Sequence, residues 1–278
     1  MKIPTTVQGF TLNNGNAMPA VGLGVYQMPD GNLTQRAVDY ALRYGYRHID
    51  TAMIYRNEAS VGKAINSSIF PREQIFLTTK LWNSDHGYDQ AIKACNASLS
   101  RLGLGYVDLY LIHWPVQGKR KESWRALETL YNEGKCKAIG VSNYMAHHLE
   151  ELLGYCKVVP AVNQIELHPY IYNSRIDTID LCRRSGIIPV AYSPLTKGVK
   201  LREPLLVSMA EKYHKNTAQL LIRWALQQGF AAIPKSSVTS RIADNYKVFD
   251  FEISPDDMTI LDGLDENLAT GWNPADTF

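Results

Sequence analysis

The stretch VDLYLIHWP, residues 107–115, decides the fold. Its first six residues, 107–112, are apolar at almost every position, so both faces of an extended chain would be apolar there. A strand of that kind is typical of a parallel sheet that helices cover on both faces. The run then ends at an ionisable residue, His113. The same two features, an apolar run and a polar end, recur along the rest of the chain.

Eight such apolar runs alternate with segments of helical spacing. The runs cover residues 20–23, 48–50, 75–80, 107–112, 138–141, 161–165, 187–192 and 231–234. Helices are predicted at residues 34–42, 91–102, 124–133, 146–155, 176–185, 205–213, 218–228 and 241–248. Eight strand and helix units in about 250 residues predict an α/β protein with a (β/α)8 or TIM barrel. An open, doubly wound parallel sheet is the alternative.

Short additional elements are predicted before and after the barrel. Residues 11–18 indicate an N-terminal β-hairpin that would plug the bottom of the barrel, because Asn14-Gly15 tolerates the positive φ of a type I′ turn. Ser254 and Pro255 begin a last helix, and a short C-terminal tail follows to Phe278. Together these elements account for nearly all of the chain, so we predict one domain over residues 1–278.

Composition and charge exclude several classes of protein. The 278 residues carry a net charge of +2, which is too balanced for a protein that binds nucleic acid through a basic surface. No run of about 18 apolar residues predicts a membrane span, and residues 1–10 lack the apolar stretch of a signal peptide. The four cysteines, at positions 95, 136, 156 and 182, match no zinc or redox spacing. We predict that they are free thiols in a cytoplasmic protein.

Polar residues end seven consecutive apolar runs. They are Asp50, Lys80, His113, Ser142 with Asn143, Gln164 with Glu166, Tyr192 with Ser193, and Lys235 with Ser236. In a barrel the carboxyl ends of the strands meet at one face, and that face carries the active site. The sequence therefore predicts a polar pocket, ringed by loops, at this end of the barrel.

Four residues near these ends form a chemically coherent set: Asp50, Tyr55, Lys80 and His113. A tyrosine hydroxyl has a pKa of about 10, and the ammonium of Lys80 would lower it by favouring the phenolate. Asp50 would keep that ammonium charged and oriented. His113 would donate a hydrogen bond to an oxygen that gains negative charge. This set suits carbonyl reduction, in which a hydride reaches carbon while a proton reaches oxygen.

Other interpretations of these residues exist. Asp50 could cap a loop, and Tyr55 could be a half-buried aromatic. Lys80 could extend to the surface, and His113 could be a hydrogen-bonded histidine of the core. A metal-dependent hydrolase would use His48, His113 and Glu166. His48 begins its strand instead of ending it, so these three side chains would not converge. We predict no metal site.

The segment 234–241 predicts an anion site. Lys235 and Ser236 follow the eighth run, and Arg241 lies near the start of the next helix. Barrels often bind phosphate at the loops after strands 7 and 8, beside a helix N-terminus. A lysine and an arginine there suit the extra 2′-phosphate of NADPH, and a solvated basic turn is the alternative. The earlier segment 22–24, GLG, lacks the third glycine of a Rossmann fingerprint.

Long motifs in the chain resemble the aldo-keto reductase family. The three signatures of that family are similar to residues 45–58 (GYRHIDTAMIYRNE), 107–115 and 233–245 (IPKSSVTSRIADN). Shorter matches are TTKLW at 78–82, GVSN at 140–143, NQIELHP at 163–169 and YSPL at 192–195. The match covers nearly the whole chain. The chain length and the sequences of the motifs most resemble those of the compact bacterial and protozoan members.

The resemblance implies a (β/α)8 fold and an NADPH-dependent interconversion of carbonyls and alcohols. Tyr55 would be the general acid, which Lys80 and Asp50 tune, and the carbonyl would be oriented by His113. The cofactor residues would be Ser142, Asn143 and Gln164 at the carboxamide, Tyr192 at the nicotinamide ring, Ser193 and Leu195 at the pyrophosphate, Lys235, Ser236 and Arg241 at the 2′-phosphate and Asn245 at the adenine, together with Gly24, Val25, Asp50 and Ser237. A non-enzymatic NADPH-binding protein on the same fold is the alternative.

The resemblance also implies a pocket for a small-molecule carbonyl substrate. Tyr26, Trp82 and Trp114 would line it beside His113, although the two tryptophans also suit packing at the barrel rim. We expect a monomer.

Two segments near the pocket are short compared with longer members of the family. The loop 196–204 and the tail after residue 264 lack the length that would select steroids. We expect the tail to end as a frayed terminus, and an approach of Trp272 or Phe278 to the pocket is the alternative.

Overall fold

The computed structural model describes residues 9–274, which form ten strands, ten α-helices and six short 3-10 helices. The strands are β1 (Gly9–Thr11), β2 (Ala17–Pro19), β3 (Leu23–Gly24), β4 (His48–Asp50), β5 (Phe76–Leu81), β6 (Leu109–Ile112), β7 (Ile139–Ser142), β8 (Val162–Glu166), β9 (Ile188–Tyr192) and β10 (Ala231–Ala232). The helices are α1 (Asn32–Tyr44), α2 (Glu58–Asn66), α3 (Tyr88–Leu102), α4 (Arg120–Asn132), α5 (Ala146–Leu153), α6 (Ile176–Arg184), α7 (Pro204–Lys212), α8 (Thr217–Gln227), α9 (Thr239–Tyr246) and α10 (Pro255–Asp262). The predictions for the extreme N-terminus and for Phe278 lie outside the described residues.

Strands β3 to β10 form one parallel sheet in which each strand pairs with the next along the chain. Parallel bridges join Val21 to Ala232 and Gly24 to Lys235, so the first strand also meets the last. The backbone N–H of Gly22 donates to Ala232 O at 2.9 Å, and the N–H of Ala232 donates to Ala20 O at 2.8 Å. These bonds close the sheet into a barrel, which confirms the (β/α)8 prediction over the open sheet.

The N-terminal hairpin covers one end of the barrel. β1 pairs antiparallel with β2, and Leu12 and Met18 are buried in one cluster with Leu109 and Leu111 of β6. The plug is therefore confirmed, but the predicted type I′ turn is wrong. Such a turn needs positive φ at both central residues, and only Gly15, with φ 86°, lies in the left-handed region. The loop is longer than two residues, since the N–H of Leu12 donates to Asn16 O.

Helix α2 is the element that the spacing did not predict. Its sequence, EASVGKAIN, mixes serine, valine, glycine and asparagine, which have low intrinsic helix propensity. The helix packs closely on α3, because a Cβ on Gly62 would lie 2.0 Å from the carbonyl oxygen of Leu102. Tertiary contact therefore stabilises a segment whose local preference is weak. Within residues 9–274, no helix is long and apolar enough to cross a membrane.

Candidate active site

A buried ion pair lies at the carboxyl ends of β4 and β5. The Lys80 ammonium donates to Asp50 Oδ1 at 2.6 Å and to the carbonyl oxygen of Thr51 at 2.9 Å. Gln164 Nε2 donates to the other oxygen of Asp50, Oδ2, at 2.7 Å. Burial lowers the pKa of Lys80, and the adjacent carboxylate of Asp50 opposes that shift. The pair is thus held by hydrogen bonds from three strands before any ligand binds.

Tyr55 lies over this pair at the end of a short 3-10 turn after β4. The Lys80 ammonium is 5.2 Å from the centroid of its ring. Burial, followed by the negative charge of Asp50, raises the pKa of Tyr55 well above its usual value. The net shift is opposite to the expected lowering, because burial and the charge of Asp50 outweigh the stabilisation of the phenolate by Lys80. The phenol is therefore protonated at neutral pH and suits a proton donor.

His113 follows β6 and packs between two aromatic rings. Its ring centroid lies 5.8 Å from that of Tyr55 and 5.2 Å from that of Trp82. Burial, together with the nearby charge of Lys80, lowers the pKa of His113 well below its usual value. The imidazole is therefore neutral at neutral pH. A neutral imidazole carries one N–H donor, which suits a hydrogen bond to a carbonyl oxygen.

The predicted nicotinamide residues form one hydrogen-bond network at the ends of β7, β8 and β9. Asn143 Nδ2 donates to His113 O at 2.9 Å, and Asn143 Oδ1 accepts from the Tyr192 hydroxyl at 2.8 Å. Ser142 Oγ donates to Gln164 O at 2.8 Å. Asn143 has a left-handed backbone, with φ 62°, a conformation that costs free energy and is concentrated at functional sites. The network joins this edge of the barrel to both His113 and Asp50.

Two cations lie without ion-pair partners at the other end of the predicted cofactor site. Lys235 and Arg241 are exposed, and they flank the N-terminus of α9. Within residues 9–274 neither forms a salt bridge. Ser236 Oγ accepts from the Val238 N–H at 3.1 Å, beside them. Uncompensated cations and free N–H groups at a helix start fit a phosphate.

The remaining predicted cofactor residues differ in burial and in the hydrogen bonds that they already make. The N–H of Gly24 donates to Pro234 O and that of Val25 to Asp50 O, so both are used within the barrel. A Cβ on Gly24 would lie 2.9 Å from Ile233 O, which shows that this glycine allows close strand contact. The other four are Ser193 and Leu195, both half-buried, Ser237, also half-buried, and Asn245, which is buried.

Aromatic side chains surround the site. The Tyr26 ring is 47% exposed and lies 5.0 Å from the Tyr55 ring, and Trp82 lies against His113. Trp114 meets Trp272 of the tail edge to face, with the ring centroids 5.7 Å apart. The structure thus brings the predicted aromatic residues to one rim. It also places Trp272 of the tail there, which is the alternative to the expected frayed terminus.

Two buried polar residues near this rim, Asn57 and Glu166, make contacts that the sequence did not predict. Asn57 Nδ2 donates to the carbonyls of Val25 and Met28, at 2.9 and 3.0 Å, and its Oδ1 accepts from the Thr51 hydroxyl. Asn57 therefore ties the loop that carries Tyr26 to the end of β4. Glu166 accepts hydrogen bonds from Thr270 of the tail instead of lying free at the pocket. Asn57 carries no sequence signal beyond its position inside a long motif, whereas Glu166 was predicted as a polar strand end and a candidate metal ligand.

The three residues of the metal hypothesis have separate partners. His48 Nε2 lies 3.0 Å from Thr78 Oγ1. Glu166 is engaged by Thr270, and His113 packs against aromatic rings. The part of the chain that is described contains no group of three His, Cys, Asp or Glu side chains arranged for a metal ion.

Comparison with known proteins agrees with this geometry. The model of the aldo/keto reductase family matches residues 20–266. The chain is 46% identical to a glyoxal reductase of Bacillus subtilis, over 98% of both chains. It is 45% identical to the 9,11-endoperoxide prostaglandin H2 reductase of Trypanosoma cruzi, over 96% of this chain and 95% of that one. A crystal structure of an aldo-keto reductase of Bombyx mori in complex with NADP superimposes with a TM-score of 0.88, at 33% identity, over 95% of each chain.

The fold and the site define a carbonyl-reducing barrel enzyme. The chain belongs to the aldo/keto reductase family, and it is an NADPH-dependent oxidoreductase that acts on carbonyl compounds.

Proposed function

We propose that this enzyme reduces an aldehyde or ketone to an alcohol with a proton from Tyr55. Bound NADPH supplies the hydride. The observation that supports this role most directly is the buried Lys80–Asp50 pair beneath the Tyr55 ring. As the proton leaves Tyr55, the developing phenolate is stabilised by the adjacent Lys80 ammonium, which the buried carboxylate keeps charged.

His113 orients the substrate in this proposal. Its neutral ring donates a hydrogen bond to the carbonyl oxygen, so the oxygen lies between the His113 ring and the Tyr55 hydroxyl. The rings of these two residues are neighbours, with centroids 5.8 Å apart, which supports a shared oxygen. Holding the oxygen in that position lowers the entropic part of the barrier.

The cofactor contacts are also a proposal. Ser142, Asn143 and Gln164 would hold the carboxamide and Tyr192 the nicotinamide ring, which their shared network supports. Lys235, Ser236 and Arg241 would bind the 2′-phosphate, which the uncompensated cations at the start of α9 support. Ser193 and Leu195 would follow the pyrophosphate, Asn245 the adenine, and Gly24, Val25, Asp50 and Ser237 would border the cofactor.

The substrate is a small-molecule carbonyl compound that enters between the aromatic side chains of Tyr26, Trp82 and Trp114. Relatives named for glyoxal and for a prostaglandin endoperoxide support a broad carbonyl range. A panel of sugars, α-dicarbonyls, aromatic aldehydes and prostaglandin precursors, with NADPH consumption as the readout, would define the preferred class.

Tyr55→Phe tests the proton donor. We expect kcat for an aromatic aldehyde to fall by about 10²- to 10⁴-fold, the range for loss of a general acid, because phenylalanine has no proton to donate. NADPH binding, measured by fluorescence titration, should be unchanged. Tyr40→Phe on α1 is the control and should keep full activity. Retention of most activity by Tyr55→Phe would exclude the assigned role.

We also propose that the enzyme works as a monomer in the cytosol. All four predicted catalytic side chains come from one chain, so the site needs no second copy. The four cysteines are free, as expected of a protein in a reducing compartment.

A further inference from the structure

Glu166 is a buried carboxylate at the end of β8 that the proposed chemistry does not use. It accepts the Thr270 N–H at 3.0 Å on Oε1 and 3.2 Å on Oε2, and it also accepts the Thr270 hydroxyl. His168 Nε2 lies 3.3 Å from Oε1. Burial would raise the pKa of Glu166, but the hydrogen bonds from His168 and Thr270 outweigh it and hold that pKa below its usual value. A charged group thus fixes one residue of the tail.

The tail is joined at the same residue to the loop after β9. Lys197 Nζ donates to the carbonyl oxygen of Thr270 at 2.7 Å. In this loop Ser193, Thr196 and Lys197 have φ values of 47°, 50° and 50°, although none of them is glycine. Such conformations persist only where surrounding contacts hold them. The contact with Thr270 is one of those that hold this loop, which borders the proposed pyrophosphate position.

Two residues further along the tail, Trp272 lies against Trp114 at the rim of the proposed substrate pocket. Trp272 is 72% exposed, so burial alone does not fix its position. Its backbone lies between Thr270, which Glu166 holds, and Asn273, whose Oδ1 accepts from Arg175 at 2.6 Å. The place of the Trp272 ring therefore depends on these two anchors.

We propose that Glu166 is a positioning residue that, through Thr270, holds the substrate side and the cofactor side of the site together. Through the backbone of the tail it fixes the Trp114–Trp272 corner, which receives the distal part of a large carbonyl substrate. Through Lys197 it steadies the loop that borders the cofactor. This inference rests on the proposed function. Glu166 itself contacts no reacting atom in it.

Three variants separate these effects. Glu166→Gln removes the charge at nearly constant size, so we expect KM for a two-ring aldehyde such as 2-naphthaldehyde to rise about tenfold and Kd for NADPH about threefold or more. KM for methylglyoxal and kcat for both should change by less than about twofold. Trp272→Ala should reproduce only the effect on the large substrate, and Lys197→Met only the effect on NADPH.

Glu128→Gln is the matched control. Glu128 on α4 is also a buried carboxylate that accepts backbone N–H groups, those of Lys157 and Val158, at 2.6 and 2.9 Å. Its replacement should lower thermal stability without a substrate-size effect. If Glu166→Gln does not fold, Thr270→Val, which removes only the hydroxyl bond, should show the same pattern to a smaller degree.

Hydrogen exchange gives a readout that does not depend on activity. We expect the tail peptide 264–274 to exchange at least about tenfold faster in Glu166→Gln than in the wild type, because the Thr270 N–H loses its charged acceptor, and to be unchanged in Glu128→Gln. Unchanged exchange in Glu166→Gln, or an equal loss of kcat/KM for both substrates, would overturn the inference. If the wild type reduces no carbonyl, the proposed function fails, and the exchange result still decides the anchoring of the tail.

Discussion

At the scale of single residues, the proton chemistry of the site depends on how one positive charge is shared. The Lys80 ammonium lies 2.6 Å from Asp50 Oδ1 and 5.2 Å from the centroid of the Tyr55 ring. Its charge therefore interacts more strongly with the carboxylate than with the phenol. Tyr55 therefore begins as a firmly protonated phenol. Removal of one member of a buried ion pair typically costs about 3–5 kcal/mol, so changes at Asp50 or Lys80 would affect folding as well as catalysis.

The pH dependence of reduction follows from the pKa shifts of Tyr55 and His113. The pKa of Tyr55 is raised, so the acid stays protonated as pH rises through neutrality, and the pKa of His113 is lowered, so the imidazole stays neutral as pH falls. We expect kcat at saturating NADPH to be flat between about pH 6 and pH 8, on both sides of the ordinary histidine pKa. A titration midpoint at about 6.5 in the kcat profile would show that His113 changes charge in this range.

The preference for NADPH should depend on Lys235 and Arg241. In Lys235→Met combined with Arg241→Ala, each lost charge-assisted contact costs about 1.5–3 kcal/mol, so KM for NADPH should rise at least about tenfold. KM for NADH should change little, since NADH lacks the 2′-phosphate. Steady-state kinetics with both cofactors make the comparison. Equal effects on both would place the phosphate site elsewhere.

The sequence predicted which side chains meet at this end of the barrel, but not their electrostatics. Asp50, Lys80 and His113 were predictable because parallel strands bring their carboxyl ends to one face. The direction of the pKa shift of Tyr55 was not predictable, since it depends on burial and on the position of Asp50. Nor was the partner of Glu166, because a contact between a strand end and the distant tail leaves no local pattern.

At the scale of elements, seven of the eight predicted strands fall within two residues of the observed ones, and the first run begins three residues before β3. The apolar runs began slightly early at β6 and β7, since buried residues precede the first residue assigned to the strand. Helix α2 was missed because its local sequence favours other structures and a neighbouring helix decides the outcome. The prediction of the turn type in the hairpin was wrong for a related reason. The length of the loop, and not the Asn14-Gly15 pair, determines the backbone conformation there.

Close contact between α2 and α3 predicts the effect of Gly62→Ala. The new Cβ would lie 2.0 Å from a backbone oxygen of α3, so the helices must separate. Overpacking of this kind costs about 1–3 kcal/mol, which outweighs the gain of up to about 1 kcal/mol in helix propensity, and urea unfolding should report the loss. Gly105→Ala, where a Cβ meets nothing within 4 Å, is the control and should change the free energy of unfolding by less than about 0.5 kcal/mol. An unchanged midpoint for Gly62→Ala would show that α2 shifts without cost.

At the scale of the whole molecule, the count of strand and helix units decided the architecture from the sequence. Eight repeats imply a barrel, but closure itself depends on bonds between β3 and β10 that no local pattern contains. One chain supplies the complete predicted site in this closed form. The single domain over residues 1–278 remains a prediction.

The monomer prediction is tested by size-exclusion chromatography with light scattering. We expect one peak with a mass of 31.3 kDa, unchanged over about a hundredfold range of concentration and by added NADPH. A mass of twice that value with undiminished activity would contradict the prediction.

The bonds that close the barrel have a consequence for protein synthesis. Ala20 and Val21 meet Ala232, a residue that leaves the ribosome only when most of the chain has been made. Until then the edge of β3 has no partner, and an unpaired strand edge promotes aggregation. The nascent chain thus carries an open edge through most of translation, which makes molecular chaperones and the rate of elongation relevant to the yield of active enzyme.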